Sequence, residues 1–197
     1  FFEIHRMSEF SPRSLDIDVV LDLMIHDIDI VLSLTRETPQ EIRAAGISIL
    51  SPKVDIANVR IQFPSGCIAN LTASRISPER LRKIRVFSGG TNPTYISLDY
   101  RAQEGFIYRL AREGESETPF LKKLLTAKDS AVVSEFAGKK IVREPVPIAK
   151  DEPLKLELQH FVECVRARRV PKVSGEQARV ALDVAFEITR QIAMAAK

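Results

Sequence analysis

The feature that most constrains the fold is residues 15–34, LDIDVVLDLMIHDIDIVLSL, which are mostly Ile, Val, Leu and Met. An apolar segment of this length is far more typical of a buried helix than of a strand. Its main polar residues are predicted to lie within an arc of about 80° on one side of that helix: Asp18, Asp22, His26, Asp29 and Ser33. Asp16 and Asp27 fall on the opposite side. Because buried carboxylates are costly unless something pairs with them, we expect the stripe to line a reactive cleft.

The composition is that of a folded chain with few special features. Its 197 residues suffice for one substantial domain, and 45% hydrophobic and 28% charged residues argue against extensive disorder. A net charge of +3 is too small to indicate nucleic-acid binding. Cys67 and Cys164 have neither metal-binding nor redox spacing, so we interpret them as reduced thiols of a cytoplasmic protein. The sequence shows no signal peptide and no uninterrupted apolar run of about 18 residues, so no membrane span is predicted.

The rest of the sequence alternates as strands do and then ends in two helices. Strands are predicted over the following ranges: 1–8, 41–50, 56–63, 67–74, 81–88, 94–100, 105–112 and 138–147. A short helix is predicted near 119–125, and amphipathic helices at 152–168 and 174–195. This order predicts an α+β fold with one large, mostly antiparallel sheet and helices packed on one face. We expect a single domain over residues 1–197 and, because the chain opens inside a strand without methionine, a longer parent protein.

Asp22 and His26 are the first candidates for catalysis, because they are one helical turn apart. A carboxylate at this spacing would orient the imidazole for general-base chemistry. Two alternatives stay open at this point. The two side chains satisfy each other in a core, or Asp22, His26 and Asp29 hold a metal, although no second histidine or known ligand motif is present. His160, on the helix predicted at 152–168, is most simply structural.

Basic residues cluster where the strand predicted at 81–88 begins: Arg75, Arg80, Arg82, Lys83 and Arg85. Such a cluster is ordinarily a solvated surface. The functional alternative is a contact with an anionic substrate group, because guanidinium geometry suits phosphate. The chain has eight glycines and no G-x-G-x-x-G after a strand, so it carries no dinucleotide-binding fingerprint.

Residues 22–29, DLMIHDID, resemble the D-x-x-x-H-x-x-D segment of the Gfo/Idh/MocA oxidoreductases, the group that contains glucose–fructose oxidoreductase and inositol dehydrogenase. The resemblance continues in the hairpin VRIQFPSGCIANLTASR, residues 59–75. It ends in the helix pair LELQHFVECVRARRVPKVSGEQARVALDVAFEI, residues 156–188. The short motif alone is weakly specific, whereas the ordered combination is specific and covers nearly the whole chain as the C-terminal domain of that family.

The resemblance implies an NAD(P)-dependent sugar dehydrogenase whose N-terminal Rossmann domain, missing from this chain, binds most of the cofactor. Asp22 and His26 match the catalytic aspartate and histidine: His26 would remove the hydroxyl proton as hydride leaves, and Asp22 would orient it. His5 lies where inositol dehydrogenases place a substrate-binding histidine, and Arg75 to Arg80 match a substrate-facing region. The segment is most similar to members that oxidise the 3-hydroxyl of UDP-N-acetylglucosamine, a diphosphate substrate that the basic cluster fits.

The resemblance also implies a cytoplasmic homodimer or homotetramer assembled through the open face of the sheet, with this chain inactive by itself. Two hypotheses of other classes remain beside the dehydrogenase. One is a non-catalytic oligomerisation or binding module of the same fold. The other is a metal-dependent hydrolase built on Asp22, His26 and Asp29.

Overall fold

A computed structural model of the chain describes residues 1–12, 16–112, 131–136 and 138–195. The strands have the following bounds: β1 Phe2–Met7, β2 Glu41–Ile47, β3 Ile56–Gln62, β4 Ile68–Ser74, β5 Leu81–Ser88, β6 Thr94–Asp99, β7 Glu104–Leu110, β8 Ala131–Phe136 and β9 Lys139–Pro145. A π-helical turn, Val20–Met24, leads directly into helix α1, Ile25–Thr35. Helices α2, Pro153–Ala167, and α3, Gly175–Ala195, follow the sheet. The short helix predicted near 119–125 lies outside the described residues.

The described strands form one sheet in the order β2-β3-β4-β1-β5-β6-β7-β9-β8. Neighbouring strands are antiparallel except β1 and β4, which run parallel with Ile4 opposite Leu71. The first strand of the chain is therefore inserted between β4 and β5 and joins the two parts of the sheet. The prediction of a large, mostly antiparallel sheet with helices on one face is confirmed. Strand β8 was not predicted, and it pairs with β9 through an irregular register.

One face of the sheet and the helices bury a common core. Its most deeply buried members are at most 1% exposed: Ile4, Val59, Ile61, Leu71 and Ile84 from the sheet, and Met24, Ile28, Val31, Ala185 and Ile188 from the helical segments. Burial of one such aliphatic side chain contributes about 1.5–3 kcal/mol. Helix α3 packs against both α1 and β2, so it holds α1 over the sheet.

The opposite face of the sheet lacks such a core among the described residues. On this helix-free face, Phe87, Tyr95 and Tyr108 lie directly opposite one another on β5, β6 and β7. Their rings stack, with centroids 4.8 Å apart for Phe87 and Tyr95 and 5.1 Å apart for Tyr95 and Tyr108. The polar side chains of Glu3 and Asn70, which are hydrogen-bonded at 2.7 Å, occupy the same face on β1 and β4.

Helix α2 has the predicted amphipathic pattern, but its apolar side is exposed in the described part of the chain. The residues of this stripe are 42–61% exposed: Leu154, Leu158, Phe161, Val162 and Val165. Periodicity reveals which side of a helix is apolar and does not reveal what covers it. The described helices include none that is long and apolar enough to cross a membrane.

Candidate active site

The helix predicted at 15–34 begins later than expected and is irregular at its start. The Asp18 carboxylate accepts the N–H groups of Val20 and Leu21 at 2.9 and 3.0 Å and so caps the helical segment. In the π-helical turn that follows, the N–H of Ile25 donates to the carbonyl oxygen of Val20, five residues earlier. A π turn contains more residues than an α turn, so a constant 100° per residue does not hold through Asp22. Such turns occur frequently at functional sites.

The residues of the predicted polar stripe lie at different sites. Asp18 is 7% exposed and also accepts a hydrogen bond from the Thr189 hydroxyl of α3 at 3.2 Å, so it serves the fold. Asp29 and Ser33 line a cleft of about 520 Å³ beside the start of α3. His26 lines a separate cleft. The prediction of one continuous polar stripe is therefore wrong.

His26 lies in the first turn of α1 with an exposed side chain, at a cleft of about 530 Å³. The cleft lies between α1, the ends of β5 to β7 and the start of α2, and its lining includes Arg6, Ile30, Arg82, Leu98, Tyr100 and Leu156. Asp22 is half-buried one turn earlier. Among the described residues, no hydrogen bond joins the Asp22 carboxylate to the His26 imidazole. Catalytic hydrogen bonds are often long in ligand-free sites and tighten when substrate binds.

An ion pair that the sequence did not reveal lies beside His26. Asp27 is only 3% exposed, and its two carboxylate oxygens accept the Nε and Nη2 hydrogens of Arg6, each at 2.7 Å. This bidentate pair is strong and geometrically specific, and it ties the start of α1 to strand β1. The signal was present in the sequence: a carboxylate on the apolar side of a buried helix needs a partner, and Arg6 continues the inward alternation of Phe2 and Ile4.

Three polar side chains that line the cleft form a row across neighbouring strands: Arg6 on β1, Arg82 on β5 and Tyr100 just after β6. Arg82 on β5 lies directly opposite Arg6 on β1. Tyr100 follows β6, and its N–H donates to the Arg82 carbonyl oxygen at 2.9 Å. Burial and the nearby Asp27 charge raise the pKa of Tyr100, and the Arg6 charge opposes that shift. The phenol is therefore protonated near neutral pH and is available as a hydrogen-bond donor.

The side chain of Leu98 occupies the wall of the same cleft because its cross-strand neighbour is glycine. A Cβ atom on Gly105 would lie 2.5 Å from Leu98 Cδ2 and 3.3 Å from Val146 Cβ. Such distances are well inside van der Waals contact. Gly105 therefore sets the position of the apolar wall that Leu98 gives to the cleft.

His5 is not brought together with His26. Successive side chains of a strand point to opposite faces, and Arg6 points toward α1. His5 therefore lies on the helix-free face, in register with Thr72 and Lys83. Its Nδ1 atom is buried and has no hydrogen-bond partner among the described residues. This placement does not support the predicted contact of His5 with a substrate held by His26, and that contact stays a prediction.

Arg75 is built into the fold. Its side chain is 4% exposed, its Nε donates to Asp55 at 3.0 Å, and its Nη1 donates to the Ile17 carbonyl oxygen at 2.8 Å. Burial by itself would raise the pKa of Asp55, but hydrogen bonds from the N–H groups of residues 49–51 and the Ser51 hydroxyl lower that pKa below its ordinary value. The predicted contact between Arg75 and substrate is therefore not supported by its position, because its guanidinium is committed to these buried partners.

The other members of the basic cluster are dispersed. Arg80 is exposed and pairs with Glu9 at 3.0 Å. Arg82 lies on the face of β5 that carries the helices. Lys83 and Arg85 lie on the other, helix-free face. Of these clustered residues, Arg82 lines the His26 cleft. The basic residues are close together in the sequence, but in the structure they lie at separate places and do not form one site.

The metal-site alternative has no support in the arrangement of side chains. Asp29 faces a different cleft from His26. Throughout the described ranges, no group of three or more His, Cys, Asp and Glu side chains is placed to hold a metal ion. The remaining histidine, His160, accepts the Lys172 N–H at 3.1 Å and lies 3.5 Å from the Cys164 sulfur, as expected of a structural residue.

Comparison with known proteins agrees with this fold. Residues 5–91 match the family model of the GFO/IDH/MocA C-terminal domain. The matched residues run from strand β1 to strand β5 and include Asp22 and His26, so this part of the chain matches a GFO/IDH/MocA C-terminal domain.

Among individual proteins, the chain is 31% identical over 188 residues to a UDP-N-acetylglucosamine 3-dehydrogenase from Acidithiobacillus ferrooxidans, covering 95% of this chain and 53% of the relative. The solved structure of that enzyme, GnnA, matches with a TM-score of 0.77 over 97% of this chain and 54% of the enzyme, at 31% identity. An aldose–aldose oxidoreductase from Caulobacter crescentus, complexed with glycerol, shares the fold at 19% identity, with a TM-score of 0.68 over 98% of this chain and 53% of that one. The chain spans about half the length of these proteins.

Proposed function

We propose that residues 1–197 form the substrate-binding and oligomerisation domain of a cytoplasmic, NAD(P)-dependent oxidoreductase that oxidises a hydroxyl of a sugar or nucleotide sugar. Within this class, the 3-hydroxyl of UDP-N-acetylglucosamine is the preferred substrate group. The observation that carries the proposal is the accessible His26 at its cleft, in a chain 31% identical over 188 residues to a dehydrogenase of that nucleotide sugar.

In this proposal His26 is the general base and Asp22 its orienting partner. Imidazole is the side chain that most often accepts a proton in such reactions. His26 takes the proton of the substrate hydroxyl, which removes one of the two hydrogens lost when an alcohol becomes a ketone. Asp22, half-buried in the π-helical turn, favours one orientation of the ring. The Arg6–Asp27 pair holds this part of the helix on the sheet.

The second hydrogen leaves as hydride, and NAD or NADP supplies the acceptor when it is bound. The described residues do not fit a dinucleotide site, because no strand among them leads through a glycine-rich turn into a helix. We therefore propose that an N-terminal domain outside this chain binds most of the cofactor and selects NAD or NADP, and that residues 1–197 alone are inactive.

The test is a nucleotide-reduction assay on the full-length protein with UDP-N-acetylglucosamine, myo-inositol and simple hexoses, each with NAD and with NADP. We expect reduction with the nucleotide sugar. Reduction with a free polyol alone would retain Asp22 and His26 and remove the nucleotide sugar from the proposal. If every combination is silent, the non-catalytic binding module becomes the better hypothesis.

We propose that copies of the protein associate through the helix-free face. The stacked rings of Phe87, Tyr95 and Tyr108 give this face a continuous aromatic surface, and Phe87 is 42% exposed. Aromatic residues are enriched where proteins associate. Sedimentation equilibrium of the full-length protein is expected to give two or four times the protomer mass, and Tyr95→Lys should shift the mass toward the protomer. A monomeric wild-type protein would exclude this interface.

A further inference from the structure

We propose that Arg82 and Tyr100 form the part of the His26 cleft that binds the diphosphate of a nucleotide-sugar substrate. This inference rests on the proposed function and adds to it the residues that recognise the anionic part of the substrate. It also assigns the phosphate contact to a residue other than Arg75 and Arg80, the two arginines that the family resemblance indicated.

The first support is that the hydrogen-bond donors of both side chains have no acceptor among the described residues. Arg82 presents a guanidinium group at the cleft, and no ion pair or side-chain hydrogen bond engages it within the described ranges. The Tyr100 hydroxyl likewise has no hydrogen-bond partner in the described part of the chain. The main chains of Arg82 and Tyr100 are joined by a hydrogen bond of 2.9 Å. The two side chains therefore extend from neighbouring strands, which lie about 4.8 Å apart in a sheet, so both can contact one diphosphate.

The second support is the distribution of charge around Arg82. Its cross-strand neighbour Arg6 carries the same charge, and like charges directly opposite each other are destabilising. Asp27 neutralises Arg6. No described carboxylate does the same for Arg82, so the inner end of the cleft retains one positive charge beside His26.

The carboxylates that line the outer part of the cleft do not cancel that charge. Asp99 pairs with Lys83 at 3.6 Å, and Glu104 pairs with Lys150 at 3.4 Å. Asp151 precedes α2, and its carbonyl oxygen accepts a hydrogen bond from the side chain of Gln103. An anionic group entering the cleft therefore meets its uncompensated cation at Arg82, next to the proposed base.

The experiment measures binding of UDP, which carries the diphosphate without the sugar, to the full-length protein by isothermal titration calorimetry. Arg82→Gln is expected to weaken UDP binding by about 10- to 100-fold, since a charge-assisted hydrogen-bond pair is lost. Tyr100→Phe should weaken it by about 3- to 10-fold, on the scale of one neutral hydrogen bond. With UDP-N-acetylglucosamine as substrate, Arg82→Gln should raise KM by a similar factor and leave kcat nearly unchanged, as loss of uniform binding does.

The matched control is Arg85→Gln, which removes the same charge from the same strand on the opposite face of the sheet. It should change the Kd for UDP by less than about 2-fold, because its charge lies on the face of the sheet away from the cleft. Arg82→Lys, which keeps the charge and loses the planar fork, should fall between wild type and Arg82→Gln. The inference is overturned if Arg82→Gln binds UDP as tightly as wild type, or if wild type does not bind UDP. If UDP binding depends on Arg82 while no sugar is oxidised, the diphosphate site stands and the dehydrogenase proposal fails.

Discussion

Replacement of His26 by alanine in the full-length protein is expected to lower kcat for the preferred sugar by roughly 100-fold or more, the usual scale of lost general-base catalysis. The side chain is exposed and makes no hydrogen bond among the described residues, so the thermal midpoint should stay close to that of wild type. KM should change little, because the lost interaction belongs to the transition state. Steady-state kinetics and a thermal melt of the same preparation test both statements.

Two further variants of the same helix sharpen this experiment. Asp22→Asn should cost a smaller factor, roughly 10-fold, because the base is retained and only its orientation is weakened. Asp29→Asn removes the same charge one helical turn after His26, but Asp29 lines the other cleft, so turnover should be near normal. Near-normal turnover of His26→Ala would remove His26 from the mechanism. An equal loss in Asp29→Asn would point to a general effect of helix charge.

The second large effect is expected on stability, at the buried pair of Arg75 and Asp55. Asp55→Ala leaves the Arg75 guanidinium without its carboxylate at a site where the two side chains are 4% and 0% exposed. Breaking a buried pair in this way costs about 3–5 kcal/mol. For a domain of this size, the midpoint of its own unfolding transition should fall by about 6–20 °C. Differential scanning calorimetry of the full-length protein measures the change.

Two control variants test whether the loss of stability comes from burial of the pair or from loss of a charge alone. Glu41→Gln breaks the exposed pair of Glu41 and Arg43, whose side chains are 45% and 76% exposed, and should change stability by at most about 0.5 kcal/mol. Arg75→Met should be destabilising on a scale similar to Asp55→Ala. A stable Arg75→Met variant with a normal melting temperature and a raised KM would instead restore the substrate contact predicted from the sequence.

The pH dependence of the same pair follows from the pKa of Asp55. Its hydrogen bonds lower the folded-state pKa below the ordinary value of 3.8. A depressed carboxyl pKa contributes stability that is present above the unfolded value and is lost as pH falls toward the folded value. The stability difference between wild type and Asp55→Asn should therefore shrink as pH falls below about 4. A difference that stays constant into acid would show that Asp55 acts through packing alone.

Most of the secondary structure could be predicted from the sequence because it is a local property. Alternation identified Ile56–Gln62 and Leu81–Ser88, and an S-x-x-Q capping box opens α3, where Ser174 and Gln177 bond reciprocally. Strand order is not local. Nothing in Phe2–Met7 indicates that this strand pairs with both β4 and β5, because pairing depends on residues far along the chain.

The site was only partly predictable, for two physical reasons. The motif resemblance indicated Asp22 and His26, but the ion pair of Arg6 and Asp27 joins residues 21 positions apart, and local patterns do not show which distant residues pair. The basic cluster misled for another reason: alternate residues of a strand face opposite sides of the sheet. Neighbours in sequence such as Arg82 and Lys83 therefore serve different surfaces, and a run of like charges does not imply one site.

The central position of β1 has a consequence for biosynthesis. This strand is made before both of its partners, and β5 begins about 70 residues further along the chain. At a synthesis rate of about 5–20 residues per second, Phe2 and Ile4 wait on the order of 4–17 s before the strand can be paired on both sides. During that interval the nascent chain exposes an unpaired apolar strand, the kind of segment that chaperones protect. The strand that later holds helix α1 through the pair of Arg6 and Asp27 is thus also a segment that needs protection on the ribosome.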